Sequence, residues 1–224
     1  MKISNNVEAL ELAGTQGVSM YPVLLWDERD VILVDTGLPG QLELIRAEVL
    51  KTGHSLEQIT KIILTHHDMD HIGNAKLIRE LGAKILAHEK EVPYIQGDAP
   101  SPKLTRLEER LKEASPEERA MYDRLKANAN LHVPVDQSLI DGETLPFCGG
   151  IEVIHTPGHT PGHICLLLKS GNVLITGDAA NISNGELTGA NPKHTLDMAK
   201  AEESFEKLKK LNPDCVVCYH GGIL

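Results

Sequence analysis

The chain has 224 residues, 41% hydrophobic and 24% charged, which is enough for one large domain and excludes wholesale disorder. Thirty-two acidic against 22 basic residues leave a net charge of −10, and two Phe, four Tyr and one Trp offer few stacking groups, so nucleic acid is a poor partner. No apolar run approaches the roughly 18 residues of a membrane helix, and Met1 to Asn6 lacks the apolar core of a signal peptide. The expectation is a soluble cytoplasmic protein, a single domain over 1–224, with neither membrane nor nucleic acid as partner. Four cysteines in this length are no disulfide framework. Cys215 and Cys218 lie on a strand-like run where an offset of three points them to opposite faces, so they read as buried small residues rather than a redox or zinc pair.

In chain order, Val7 to Leu12, Ser19 to Trp26 and Asp30 to Asp35 are strand-like, and Val31 to Val34 is a continuous apolar run of a strand buried on both faces. Leu42, Ile45, Val49 and Leu50 recur at helical spacing, and Gly53 closes that helix. Lys61 to Thr65 is another buried strand. Ala75 to Leu81 is helical, and Ala83 to Ala87 is a strand. From about 93 to 134 the composition changes. Pro93, Pro100 and Pro102 form a loop, and Leu104, Leu107 and Leu111 mark a helix. Ser115-Pro-Glu-Glu118 is a capping box opening a second helix, whose apolar face carries Met121, Tyr122, Leu125 and Ala129. This helical hairpin is either a solvated decoration or a lid that turns Leu104, Leu107, Tyr122 or Leu125 toward a substrate. Strands return at Ile151 to His155, Ile164 to Leu168 and Val173 to Thr176. Thr195 then caps a helix carrying Met198, Phe205, Leu208 and Leu211, which Asn212-Pro213 ends. Strands alternating with helices, with long apolar runs, place the chain in the α/β class.

The densest chemistry is Thr65-His66-His67-Asp68-Met69-Asp70-His71-Ile72-Gly73, where five of the six residues from His66 to His71 are imidazole or carboxylate. Alone, Asp70 could cap the following helix and each histidine could be ordinary. Packed together they need a counter-charge, which a divalent metal supplies. His159 stands in a loop bent by Gly and stiffened by Pro, Asp178 follows the strand ending at Thr176, and His220 follows the last strand. Ligands on loops at strand ends suit a catalytic metal site.

These residues resemble the signature of the metallo-β-lactamase superfamily: T-H-x-H-x-D-H-x-G after a strand, a His in a G-H-T-x-G-H loop, an Asp after a later strand and a His near the end. The match runs from residue 30 to 222 and leaves only the insert unaccounted for. It implies a four-layer αββα sandwich with the helical hairpin as an insertion, and a dinuclear centre along one edge. By resemblance His66, Asp68 and His159 hold one metal, Asp70, His71 and His220 hold the other, Asp178 bridges them, and Asp35 supports the loop from behind. The implied cofactors are two divalent ions, zinc first. The implied activity is that of a hydrolase with a metal-bridging hydroxide and Asp70 as the catalytic carboxylate. The substrate would be a small molecule with an ester-type bond, a lactone or thioester, as in the glyoxalase II and lactonase branches.

Asp68 departs from the pattern, standing where the family usually has its second His. A carboxylate there hardens the first position and favours iron or manganese. It motivates an alternative, a diiron protein that binds or reduces oxygen, nitric oxide or peroxide. His54, His67, His88, His132, His155, His163 and His194 match no ligand position and read as structural, with His155 and His163 the candidates for support. Oligomeric state is not legible in the residues.

Overall fold

Val31–Val34, Lys61–Leu64 and Lys84–His88 are short apolar runs buried on both faces, and they pair in parallel inside a seven-stranded sheet. The computed structural model describes residues 1–14 and 17–224. On one side the sheet continues antiparallel through Val23–Trp26, Val7–Ala9 and Lys2–Ser4. On the other it ends at Gln137–Leu139, parallel to Lys84–His88. A second sheet of six strands runs Thr144–Leu145, Ile151–His155, Ile164–Leu168, Val173–Ile175, Cys215–Cys218 and Gly222–Ile223. Its pairings are antiparallel except that of Val173–Ile175 with Cys215–Cys218.

Strand periodicity sorts the apolar side chains into three buried layers. Val23, Leu25, Ile32, Val34, Ile63 and Leu86 face Val153, Ile164, Leu166, Ile175 and Val217 between the sheets. Their neighbours Leu24, Leu33, Ile62, Leu64 and Ile85 point outward to Ile45 and Val49 of helix Leu42–Lys51 and Ile78 of helix Ala75–Glu80. On the far side Ile154, Cys165, Leu174 and Val216 meet Leu208 of helix Met198–Lys209. The result is the four-layer αββα arrangement.

Several local expectations need correction. The first two strands each break in two, at Leu10 and at Pro22, because Pro22 has no N–H for the ladder; its carbonyl instead accepts from Leu10 N at 2.8 Å. Leu50 is 57% exposed and lies off the buried stripe of its helix. Thr195 does not cap the last helix. Asp197 does, accepting from Lys200 N at 3.1 Å, while the Thr195 hydroxyl donates to Asn191 O. Pro93 lies in helix Val92–Gln96 rather than a loop, in the first turn, where a missing N–H is harmless. The strand Gln137–Leu139 escapes a reading by pattern because it is three residues long, with Gln137 and Ser138 exposed.

That strand explains the insert. Two parallel neighbours need a long crossover, and helices Val92–Gln96, Pro102–Glu109 and Pro116–Ala127 lie within the one from Lys84–His88 to Gln137–Leu139. The capping box forms as read: Ser115 Oγ accepts from Glu118 N at 3.2 Å, and Glu118 Oε2 accepts from Ser115 N at 2.8 Å. Of that helix's expected apolar face only Tyr122 is buried. All four cysteines are free, and burial pushes the Cys165 and Cys218 thiols up to about 12.

Two expected outcomes follow from these contacts. A β-carbon at Gly73 would lie 2.3 Å from Gly37 O and 2.5 Å from Pro39 N, both backbone atoms that cannot swing aside. Gly73→Ala should therefore lower stability by roughly 2–3 kcal/mol, read as a shifted urea midpoint. At the sheet edge, His88 stacks on His155 of the opposite sheet, with centroids 4.3 Å apart and planes 4° from parallel. Burial, then the charge of His155, pushes His88 down to about 4 from 6.5. The unfolded chain takes this proton first, so the contribution is complete above pH 6.5 and is lost as pH falls toward 4. His88→Phe should keep the stack and remove about 1–2 kcal/mol of the stability change across that window. Equal pH slopes for the two proteins would contradict the assignment.

Candidate metal centre

The parallel strands of both sheets end at one edge, and the loops leaving them carry the titratable residues. Asp35 follows Val31–Val34 in a left-handed turn, with φ of 61°. Its buried carboxylate accepts from Thr65 N at 2.9 Å, from Thr65 Oγ1 at 2.8 Å and from His71 Nδ1 at 2.9 Å. The last bond fixes the tautomer of His71 and aims Nε2 at the centre. The next turn holds the other end of the loop, as Thr36 N and Thr36 Oγ1 both donate to His71 O.

The seven residues expected as ligands come together. Ligand atoms of His66, Asp68 and His159 lie within 4.8 Å of one another, as do those of Asp70, His71 and His220, and those of His66, His71 and Asp178. Asp178 spans the two sides: Oδ1 lies 3.3 Å from His71 Nε2 and 3.6 Å from His220 Nε2, while Oδ2 lies 3.4 Å from His159 Nε2. Asp70 Oδ2 stands 3.1 Å from His220 Nε2. His66 Nε2, His71 Nε2 and Asp178 Oδ1 are buried and make no hydrogen bond. Buried polar atoms without partners cost about 1–3 kcal/mol each, and two imidazole nitrogens beside a carboxylate are a suitable donor set for a divalent cation.

The electrostatics follow from shared burial. Burial, then the charge of His71, pushes His66 well below its ordinary range. Burial would lower His71 too, but Asp35, Asp178 and Asp70 around it raise it well above. Burial would raise Asp178, and His220, His71 and His159 instead hold it well below the usual carboxylate range. Asp70 is lowered, against burial, by His71 and His220.

Further residues, none of them marked as a site residue by the sequence motifs, shape the centre. Lys103, on helix Pro102–Glu109 of the crossover, is only 5% exposed; its ammonium donates to Asp68 Oδ2 and, at 2.9 Å, to His159 Nε2. Asp68 heads helix Met69–Ile72, yet its side chain makes no cap and turns to this lysine. Burial would raise Asp68, but Lys103 and then His66 hold it well below the usual range. Glu91 is buried and joins three loops, accepting from Thr160 Oγ1 and Gly162 N at 2.7 Å each and from His67 N at 3.0 Å and Nδ1. His67 Nε2 in turn accepts from Ser101 Oγ at 3.1 Å. Tyr219 donates to Asp70 O at 2.5 Å, accepts from Gly37 N at 3.2 Å, and lays its ring 3.9 Å from that of His71.

The other histidines separate. His163, a candidate support, accepts from Asp178 N at 3.0 Å and pairs through Nδ1 with Thr156 Oγ1 at 2.9 Å. Burial, then His159, keeps it well below its ordinary range. His155, the other candidate, stacks on His88 and bonds Pro161 O, apart from the clustered ligand atoms. Lys103 had a sequence signal in hindsight: it sits four residues before the buried Leu107, on the apolar stripe of its helix.

A family model described as the metallo-beta-lactamase superfamily matches residues 18–220. The probable metallo-hydrolase YflN of Bacillus subtilis (strain 168) is 32% identical over 204 residues, covering 85% of this chain and 75% of that protein. An N-acyl homoserine lactonase from Bacillus sp is 29% identical over 214 residues, covering 84% and 74%. The crystal structure of a metallo-beta-lactamase family protein from Thermus thermophilus superposes with a TM-score of 0.75 at 24% identity, covering all of this chain and 76% of that one, which speaks to the fold. With the family pattern matched from the strands before the first cluster through His220, the chain belongs to the metallo-β-lactamase superfamily.

Proposed function

We propose that this chain is a metal-dependent hydrolase that opens an ester-type bond, a lactone or a thioester, in a small molecule. The observation that carries this reading is the set of buried donors, His66 Nε2, His71 Nε2 and Asp178 Oδ1, converging without hydrogen bonds at the sheet edge. Asp70, His71, His220 and Asp178 would hold one divalent ion, and His66, Asp68 and His159 are the set expected to hold a second. Zinc is the first candidate for imidazoles with carboxylates, and iron or manganese fit the same set. Such an ion, when bound, polarises a carbonyl oxygen and makes a nucleophile of water at neutral pH.

The chain's own residues supply the rest. Asp35 holds the Nδ1 proton of His71, so that Nε2 keeps its lone pair toward the centre. Asp70, kept ionised beside His220, is placed to accept a proton from attacking water. A cleft of about 140 Å³ between the crossover and the segment Pro192 to Leu196 reaches Lys103, and Arg106, Leu107, Met121 and Lys193 line it. This cleft would receive the substrate's acyl part, with the crossover as its wall. Of the four side chains expected to face a substrate, Leu107 lines it; Leu104, Tyr122 and Leu125 do not. The lactonase similarity supports an ester bond over a phosphodiester. A diiron centre is not favoured: it calls for Asp68 as a hard ligand of the first metal, and Asp68 Oδ2 pairs with Lys103.

Protein stripped with a chelator should lose turnover on a panel of lactones and thioesters and melt at a lower temperature, because metal binds the folded state. Reloading with Zn²⁺, Mn²⁺ or Fe²⁺ should restore both. Full turnover at a metal content near zero would overturn the reading. In the cleft, Met121→Trp should raise KM for a long acyl substrate about tenfold, the scale of 1.4 kcal/mol of lost contact, and spare short ones.

A further inference from the structure

The ammonium of Lys103 stands among the side chains expected to hold the first metal. It uses Asp68 Oδ2 and His159 Nε2, the same oxygen and the same lone pair a metal would take. Asp68 Oδ2 also lies 3.0 Å from His159 Nε2 and 3.3 Å from His66 Nε2, so the lysine closes a compact set rather than bridging a gap. Its arrival is built into the fold. Ser101 fastens the start of the helix to His67, and Glu91 fastens His67 to the loop that bears His159. Pro102 then restricts the backbone, and Arg106 Nη1, one turn on, donates to Leu196 O at 3.1 Å. A cation in the first turn of a helix is disfavoured by the helix dipole, and burial of an ammonium is costly without a paired anion. Asp68 offsets both, which leaves its oxygen committed.

A metal at this position would have to expel the ammonium or share its two partners at close range with a like charge. The second position carries no such competitor: among the described residues, no lysine or arginine pairs with Asp70 or Asp178.

Resting on the metal-dependent reading above, we propose that Lys103 takes the first position of the centre, and that the protein holds one divalent ion, on Asp70, His71, His220 and Asp178. Asp68 is then the counter-ion of a lysine rather than a metal ligand, and Lys103 is a positioning residue that sets the stoichiometry.

The test is metal content, independent of turnover. Full-length protein is stripped, titrated with Zn²⁺ alone, desalted and measured by elemental analysis beside Lys103→Met and the polar, uncharged Lys103→Gln, each checked for a cooperative melt. The wild type should retain one zinc per chain, and at least one folded variant should retain two, with its second equivalent at least tenfold tighter than in the wild type. A ¹¹³Cd spectrum of the wild type at one equivalent and at two should show one protein-bound resonance; this arm needs no variant. Two zinc ions in the wild type, or the same count in all three proteins, would overturn the proposal and leave the hydrolase reading standing. No tightly held zinc in the wild type would sink both.

Discussion

At the edge where the strands end the chain places Asp35 and Glu91 fully buried and Asp68, Asp70 and Asp178 partly buried. An ionised carboxylate in such a place must be met by a cation or by several donors, or it destabilises the fold. Four of these are met within the chain, and Asp178 stands among imidazoles with Oδ1 left without a hydrogen bond. Asp35 has Thr65 and His71, Asp68 has Lys103, Asp70 has His220, Asp178 has the imidazoles around it, and Glu91 has His67, Thr160 and Gly162. The partners come from segments far apart in sequence. Satisfying the charges therefore ties the two sheets and the crossover to one another, and the close backbone approach of Gly73 to Gly37 is the local consequence.

Much of this edge could be read from the residues, because strand-end placement and polarity coincide there. The apolar runs at Val31, Lys61 and Val173 located the buried strands, and the residues directly after such runs had to lie at the rim. His66, Asp70, His71, Asp178 and His220 follow from that logic. Lys103, Glu91 and Tyr219 do not, since what makes them matter is a partner 35, 24 or 149 residues away. A lysine in a mostly exposed helical stretch looks like solvent-facing charge until the crossover is folded. The edge strand Gln137–Leu139 is hidden for another reason: with one face in solvent and only three residues, it has no apolar period to detect.

Missing that strand is what made the helical stretch look like an insertion. Once Gln137–Leu139 pairs in parallel with Lys84–His88, the intervening chain has a topological duty, to return from the site edge to the opposite end of the sheet. Its departure point is fixed at the end of Lys84–His88, close to the loops that carry His67 and His159. A crossover starting there has to pass over the centre or turn away at once. Val92–Gln96 is the turn away, with Glu91 just before it holding the rim together. Pro102–Glu109 comes back over the edge, with Ser101 and Lys103 as its two polar contacts below. A wall of the cleft beside Pro192 to Leu196 and a cation for Asp68 thus come from one helix.

The replacement of an imidazole by Asp68 is best understood together with Lys103. A neutral histidine asks nothing of its surroundings beyond a metal or a hydrogen bond. A carboxylate in the same place adds a negative charge that must be balanced whether or not metal is present. Lys103 balances it by one charge at a fixed distance, with no dependence on metal supply, and in doing so occupies the acceptors that a first metal would need. Each residue is costly alone: without Lys103, Asp68 loses its nearest cation, and without Asp68 the lysine is a buried cation at a helix start with no anion beside it. Asp68 and Lys103 are therefore coupled by charge, which accounts for a carboxylate standing where the family usually has a histidine. On the proposal above, the cation at that position is one built into the polypeptide rather than an exchangeable ion.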